Sequence, residues 1–393
     1  MNFVEFFAGV GLVREGLSAD RWNCVYATDI CELKIETYSE NFGSDHAHIE
    51  DIWNIAKVPD SIPNNSFLYT ASFPCTDMSD AGERKGLDGE QSGTLHAFFN
   101  ILEQKVNAGH GPKVVMLENV KGFLTSKSGA DIATTVECLN RLGYIVDIIE
   151  LDARNFTPQS RPRVFLIAIE RELALAGTRI KESIDPLSEW WIEFVRNKEL
   201  RSDTVKEIIL NNENLNWCLT NTSPPTESDT VLDDVIETDL DEDSDLWWND
   251  DRKEKLYSQM SKNHQMKLQI WLNRPKYCYG TVYRRMRKGK SMAELRSDGI
   301  AGCLRTPKGG SSKQILIRAG KGDWKVRLLT PREYARLQGV RDDFILPENA
   351  NRGYFAMGDA VCVPAIEHIS EQVLTPLYKT HLRLMGQVAT RCT

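Results

Sequence analysis

The first 170 residues predict an α/β fold, a mostly parallel sheet covered by helices on both faces. Three observations carry this. Short apolar runs alternate with segments of helical periodicity. A glycine-rich turn, Phe7-Ala8-Gly9-Val10-Gly11, follows the first apolar run. Polar residues able to do chemistry recur at the ends of these runs, where open α/β sheets hold their ligands.

The elements follow in order. Residues 4–7 are a strand, and the helix after Gly11 carries Leu12, Val13, Gly16 and Leu17. Residues 24–27 form a second strand, closing at Asp29, and helical patterning runs over 30–41. A third strand over 66–70 leads into Phe73-Pro74-Cys75. A helix over 95–106, a strand over 114–117 ending at Glu118, a helix over 132–142 and strands over 144–151 and 164–169 complete the pattern. From 171 the alternation fades. One helix is expected over 190–209 and an exposed loop over 220–251. Helices return over 331–338 and 360–374. The expected organisation is a catalytic domain over 1–170, a smaller irregular domain over 171–325, and a segment over 326–393 returning to the first.

Composition narrows the class. The apolar runs are far shorter than a membrane span, and the N-terminus lacks the pattern of a secretory signal. Nine cysteines without a C-x-x-C pair argue against a disulfide framework or a zinc site, so no metal is expected and a reducing cytoplasm fits. The net charge of -8 conceals segregation. Residues 226–251 hold twelve acids and no base, whereas 252–330 hold twenty Lys and Arg against four acids. The second stretch reads as a phosphate-binding surface or as a solvated face beside an acidic loop.

The Phe7–Gly11 turn lets a ligand approach the backbone but lacks a pyrophosphate cradle. Asp29, twenty residues on, is placed for ribose hydroxyls. Asp51 reads either as a helix N-cap or as an acceptor for an adenine amino group. An adenosine-containing cofactor such as S-adenosylmethionine fits. Cys75 alone would be an inert buried thiol. Pro74 before it and the polar, glycine-studded span 76–93 after it argue for a nucleophile in a closing loop. Glu118, ending a buried strand, reads as a helix cap or as a clamp on the Watson–Crick edge of a pyrimidine. Arg161 and Arg163 alternate at the start of a strand and are expected to point the same way, toward substrate or Glu118.

In this order, Phe7-Ala8-Gly9, Phe73-Pro74-Cys75, Glu118-Asn119-Val120, Gln159-Ser160-Arg161-Pro162-Arg163, Leu329-Thr330-Pro331-Arg332-Glu333 and Gly358-Asp359-Ala360-Val361 resemble the motifs of the DNA cytosine-5 methyltransferase family, of bacterial modification or phage-defence type. The resemblance covers about 1–170 and 326–375. It implies a Rossmann-like methyltransferase fold with a target recognition domain between the two. It implies Cys75 as nucleophile, Glu118 as acid and base clamp, and Arg161 and Arg163 as cytosine-orienting groups. Phe7, Ala8, Gly9, Gly11, Asp29, Ile30, Asp51, Ile52, Pro74, Leu95, Asp359 and Ala360 would line the cofactor pocket. The partner would be duplex DNA, met by a monomer without a membrane, in a restriction or defence setting. Ser79, Arg84, Arg284, Arg285, Arg287, Lys288, Arg305, Lys308 and Lys313 are the candidate DNA contacts. The chain departs from the family pattern at Thr76 (usually Gln), Leu12 (Gly), Asp29 (Glu) and Asp359 (Asn). The same motifs serve tRNA cytosine-5 methyltransferases, and a non-catalytic DNA-binding relative would also keep the fold.

Overall fold

The computed structural model describes the chain except residues 19–21, 75–85, 90–92, 239, 288, 308–312 and 392–393. Cys75, Ser79, Arg84, Lys288 and Lys308 therefore lie outside the described residues. The chain divides into two compact units, one of Met1–Leu151, Pro162–Pro225 and Ala365–Thr393, the other of Asp152–Arg161 and Thr226–Pro364.

The first unit is built on β1 (Asn2–Phe6), α1 (Leu12–Ser18), β2 (Asn23–Asp29), α2 (Glu32–Phe42), β3 (Ala47–Ile49), α3 (Ile52–Lys57), β4 (Leu68–Ala71), α4 (Thr94–Asn107), β5 (Val114–Val120), α5 (Ala130–Arg141), β6 (Tyr144–Asp152) and β7 (Pro162–Glu170). Its seven strands run in the order β3-β2-β1-β4-β5-β7-β6, parallel from β3 to β5, with β7 antiparallel to β5. Strands covered on both faces read as continuous apolar runs, and β4 is buried at every residue. Helices α4 and α5 bury Leu95, Phe98, Ile101 and Leu102, and Ile132, Val136 and Leu139, at helical spacing. Each such side chain contributes roughly 1.5–3 kcal/mol of burial. The order reverses at β1, with β2 on one side and β4 on the other. Across β2, β1, β4 and β5 the residues Thr28, Phe6, Ala71 and Leu117 share one register row. The next residues, Asp29, Phe7, Ser72 and Glu118, thus follow that row toward one end of the sheet, Phe7 and Ser72 just past their strands, Asp29 at the end of β2 and Glu118 still within β5.

The same unit holds α6 (Arg171–Gly177), β8 (Arg179–Ile180), α7 (Glu189–Arg196), α8 (Asp203–Asn211) and β9 (Cys218–Leu219). The single helix expected over 190–209 is two. Between them Leu200 is buried, and the Arg201 guanidinium forms a bidentate pair with buried Asp147. Trp190, Trp191, Phe194, Val205 and Ile208 belong to the core of this unit, so the expected boundary at 170 differs from the observed one.

The second unit comprises α9 (Leu232–Val235), α10 (Asp250–Ser258), α11 (Lys262–Leu272), β10 (Cys278–Arg287), β11 (Lys290–Arg296), β12 (Ile315–Gly320), β13 (Asp323–Leu328), α12 (Pro331–Leu337) and α13 (Ala350–Gly358). Its antiparallel sheet runs β11-β10-β12-β13 over a core of Leu256, Leu268, Trp271, Val282, Leu295, Ile315, Ile317 and Val326. Thr330 and Glu333 form a reciprocal cap at the start of α12, with Pro331 in its first turn. Glu333 is also paired with buried Arg327, which gives the Thr330-Pro331-Arg332-Glu333 motif a structural reason. The 220–251 segment is not a plain loop, since α9 lies within it and Leu232 and Ile236 are buried. Residues 326–364 fold with this unit rather than the first. The helix expected over 360–374 begins later, as α14 (Val363–Ile369), and continues through a π-turn (Ser370–Leu374) into α15 (Thr375–Arg391).

Candidate active site

The turn after β1 has the backbone of a ligand cradle. Phe7 and Gly9 adopt positive φ (55° and 57°), and a Cβ at Gly9 would meet nothing within 4 Å. Gly11 is required twice over, by φ 85° and because a Cβ would stand 2.5 Å from the Phe42 ring. Ala8 donates its N–H to the Thr28 carbonyl, tying the turn to β2. The Asp29 carboxylate fixes it further, since Oδ2 accepts from Gly9 N and Oδ1 from Cys31 N, each at 2.9 Å. Beside it Ile30 is 70% exposed, an apolar surface next to a fixed carboxylate. Asp51 caps α3 by accepting from Trp53 N, as one of its two sequence readings requires. Ile52 and Leu95 pack within the core of the unit.

A second group lies at the ends of β4 and β5. Asn119 donates from Nδ2 to the Phe73 carbonyl at 3.1 Å and accepts from Val120 N at 2.8 Å. It thereby ties the Phe73-Pro74 turn to the strand that carries Glu118. The Phe73 ring packs edge-on against Phe123. Glu118 Oε1 lies 3.0 Å from Arg163 Nε, with both side chains largely buried. Val120 is the register partner of Arg163, so Glu118 and Arg163 are a diagonal pair on one face of β5 and β7.

Arg161 departs from its expected alignment with Arg163. It is 1% exposed and belongs to the second unit, where its guanidinium donates to the carbonyls of Leu304, Gly358 and Ala360. Strand β7 starts at Pro162, so alternation along a strand does not apply to Arg161. Gln159 works beside it, donating to the Leu337 carbonyl and accepting from Leu304 N. Asp359 and Ala360 are also in the second unit, Asp359 as the residue closing α13.

The basic stretch is largely compensated within its own unit. Glu242 Oε2 lies 2.7 Å from both Arg318 Nη2 and Lys325 Nζ, and these partners hold its carboxyl down at about 2. Trp247 stacks under Arg318, Lys325 and Arg327. Trp248 N donates to the Val326 carbonyl, and its ring faces Arg252 at 3.7 Å and Arg284 at 5.7 Å. The acidic segment is thus a strap across the cationic sheet. Arg284 is half-buried under it, with burial lowering its proton affinity. Arg285 and Arg287 face Glu294 at 2.8 and 3.6 Å. Lys313 donates to Asn351 and lies over the Tyr354 ring, while Arg305 is exposed. Sequence reasoning missed Glu242, Trp247, Trp248 and Glu294. A tryptophan pair inside an acidic run was the available signal.

Fold and site define a class, the Rossmann-like methyltransferases with an inserted second unit. The chain belongs to the C-5 cytosine-specific DNA methylase family, whose model matches residues 1–375, and its activity is that of a DNA (cytosine-5)-methyltransferase. It is similar to the Type II methyltransferase M1.ScrFI of Lactococcus lactis subsp. cremoris, 26% identical over 382 residues that span 96% of this chain and 79% of that protein. M.HpaII of Haemophilus parainfluenzae is 25% identical over 392 residues, spanning 96% and 90%. Among solved structures, S. pombe Dnmt2 methyltransferase shares the fold with a TM-score of 0.58 at 18% identity, covering 96% of this chain and 99% of that one. Among the described residues, no helix is long and apolar enough to cross a membrane.

Proposed function

We propose that this protein methylates C5 of a cytosine flipped out of a short duplex DNA sequence, within a bacterial restriction or defence system. The observation that carries the reading is the Asn119 bond to Phe73, which couples the Phe73-Pro74 turn to Glu118 and its partner Arg163. The open backbone at Gly9, the fixed Asp29 carboxylate and exposed Ile30 suit an adenosine-bearing ligand without a pyrophosphate. S-adenosylmethionine, held there with help from Phe7 and Asp51, would supply an electrophilic methyl group.

The chain's own groups do the rest. Cys75 adds as thiolate to C6 of the cytosine while Glu118 shares a proton with N3. Arg163 holds Glu118 and so the base edge in place. C5, now electron-rich, takes the methyl group. Loss of the C5 proton returns the electron pair to the ring and expels the Cys75 thiolate. The second unit serves as target recognition domain, and the protein acts as a monomer. The test is base-resolution sequencing of duplex DNA incubated with S-adenosylmethionine and either the wild-type protein or Cys75→Ser. Methylation of cytosines in one short motif by wild-type protein alone supports the reading. Equal patterns in both samples, or none with tRNA methylated instead, would overturn it.

A further inference from the structure

Strand β10 is paired with β12 only over Cys278–Val282, whereas its pairing with β11 continues to Arg287 and Lys290. Beyond Val282 the two strands therefore form a two-stranded ribbon, with Gly289 at φ 75° just before β11. A ribbon with strands roughly 4.8 Å apart fits a major groove about 12 Å wide. Register sorts its side chains. Tyr283, Arg285, Arg287, Lys290, Met292 and Glu294 share one face. Arg284, Met286 and Ala293 share the other, whose root is in the core through Ala293 and whose Arg284 is spent on Trp248.

On the first face Arg285 is singled out. Its Nε donates to Glu294 Oε1 at 2.8 Å, its guanidinium lies near the Tyr283 ring, and the side chain is 41% exposed. Glu294, 19% exposed, is the anchor. Among the described residues neither Nη of Arg285 has a hydrogen-bond partner. The adjacent carboxylate offsets the cation and so weakens it as a plain phosphate clamp. The same carboxylate fixes the direction of the two-pronged Nη edge, the donor pattern that fits O6 and N7 of guanine.

We infer that Arg285, positioned by Glu294, reads a guanine in the major groove of the target duplex, while Lys290 contacts phosphate. This rests on the DNA-methylation reading above and adds to it a specificity-determining residue.

The test measures methylation rates on a randomised duplex pool for wild type, Arg285→Ala, Arg285→Lys, Glu294→Gln and Lys290→Ala. Expected is a loss of preference for guanine at one motif position, about tenfold to a hundredfold, in both Arg285 variants. Lysine does not rescue, because it lacks the fork. Glu294→Gln weakens the preference at the same position, and Lys290→Ala slows all sequences alike. An Arg285→Ala protein that keeps the wild-type motif, or slows uniformly, overturns the inference. Arg285→Lys guards against a folding artefact, since it retains charge and length. Failure of the function reading is distinguishable, because wild type itself would then leave the pool unmethylated.

Discussion

Glu5 is wholly buried on β1, and desolvation pushes its carboxyl up to about 8 from an ordinary 4.5, against the pull of Arg14. The unfolded chain releases that proton near its ordinary value and the folded chain near 8. Stability tied to neutral Glu5 is therefore complete below about pH 4.5 and is lost as pH rises through 8. Glu5→Gln should match wild type in unfolding free energy near pH 4.5 and exceed it above pH 8, by on the order of a few kcal/mol. Calorimetry across that range checks this, and parallel curves would refute it. Asp29, Pro74 and Glu118 stand out in the sequence because they close or follow apolar runs, and the structure places Asp29 at the end of β2, Pro74 after β4 and Glu118 on β5. The side chain of Arg161 escapes alternation because β7 begins at Pro162, which leaves Arg161 outside the strand and Arg163 within it.

At the scale of elements, the strap from residue 240 to 248 is held by one exposed carboxylate and two indoles. Glu242 is depressed to about 2 in the folded protein, so its contribution is present above its ordinary 4.5 and lost as pH falls toward 2. Tryptophan fluorescence during acid titration should report release of Trp247 in that window. In Glu242→Gln the acid step should be missing, and its persistence would show that a group other than Glu242 governs release of the strap. The strap was illegible beforehand because charge runs show composition and not partners; only folding sets the acidic run against β12 and β13. The break between α7 and α8 was hidden for a similar reason. Its periodicity is helical on both sides, with Phe194, Arg201 and Val205 at the spacing of one face, so nothing in the pattern marks the interruption.

For the molecule as a whole, the α/β class and the mostly parallel sheet followed from alternation, but the order of its strands and the division into units did not. Fading alternation after 170 looked like a domain border. The helices α7 and α8 nevertheless lend their apolar faces to the first core, and from Pro162 the chain stays in that unit through Pro225. Arg161 anchors the ten residues Asp152–Arg161 to the second unit, through three carbonyls drawn from two distant segments. Arg161→Met should destabilise the protein by roughly 3 kcal/mol or more, because it leaves buried acceptors without donors. Urea unfolding checks this, and a loss under about 1 kcal/mol would contradict the anchoring role.

On the proposed reading of the second unit as target recognition domain, that anchor bears on how target specificity could be exchanged between such proteins. Residues 226–364 look like a portable insert, yet the unit they build is finished by a short stretch encoded upstream, among the catalytic motifs. A recombination event moving only the longer segment would carry a lock without its key, and the recipient would have to provide an arginine at the matching position. Successful shuffling of specificity should therefore be confined to donors and recipients that already agree on that upstream decapeptide.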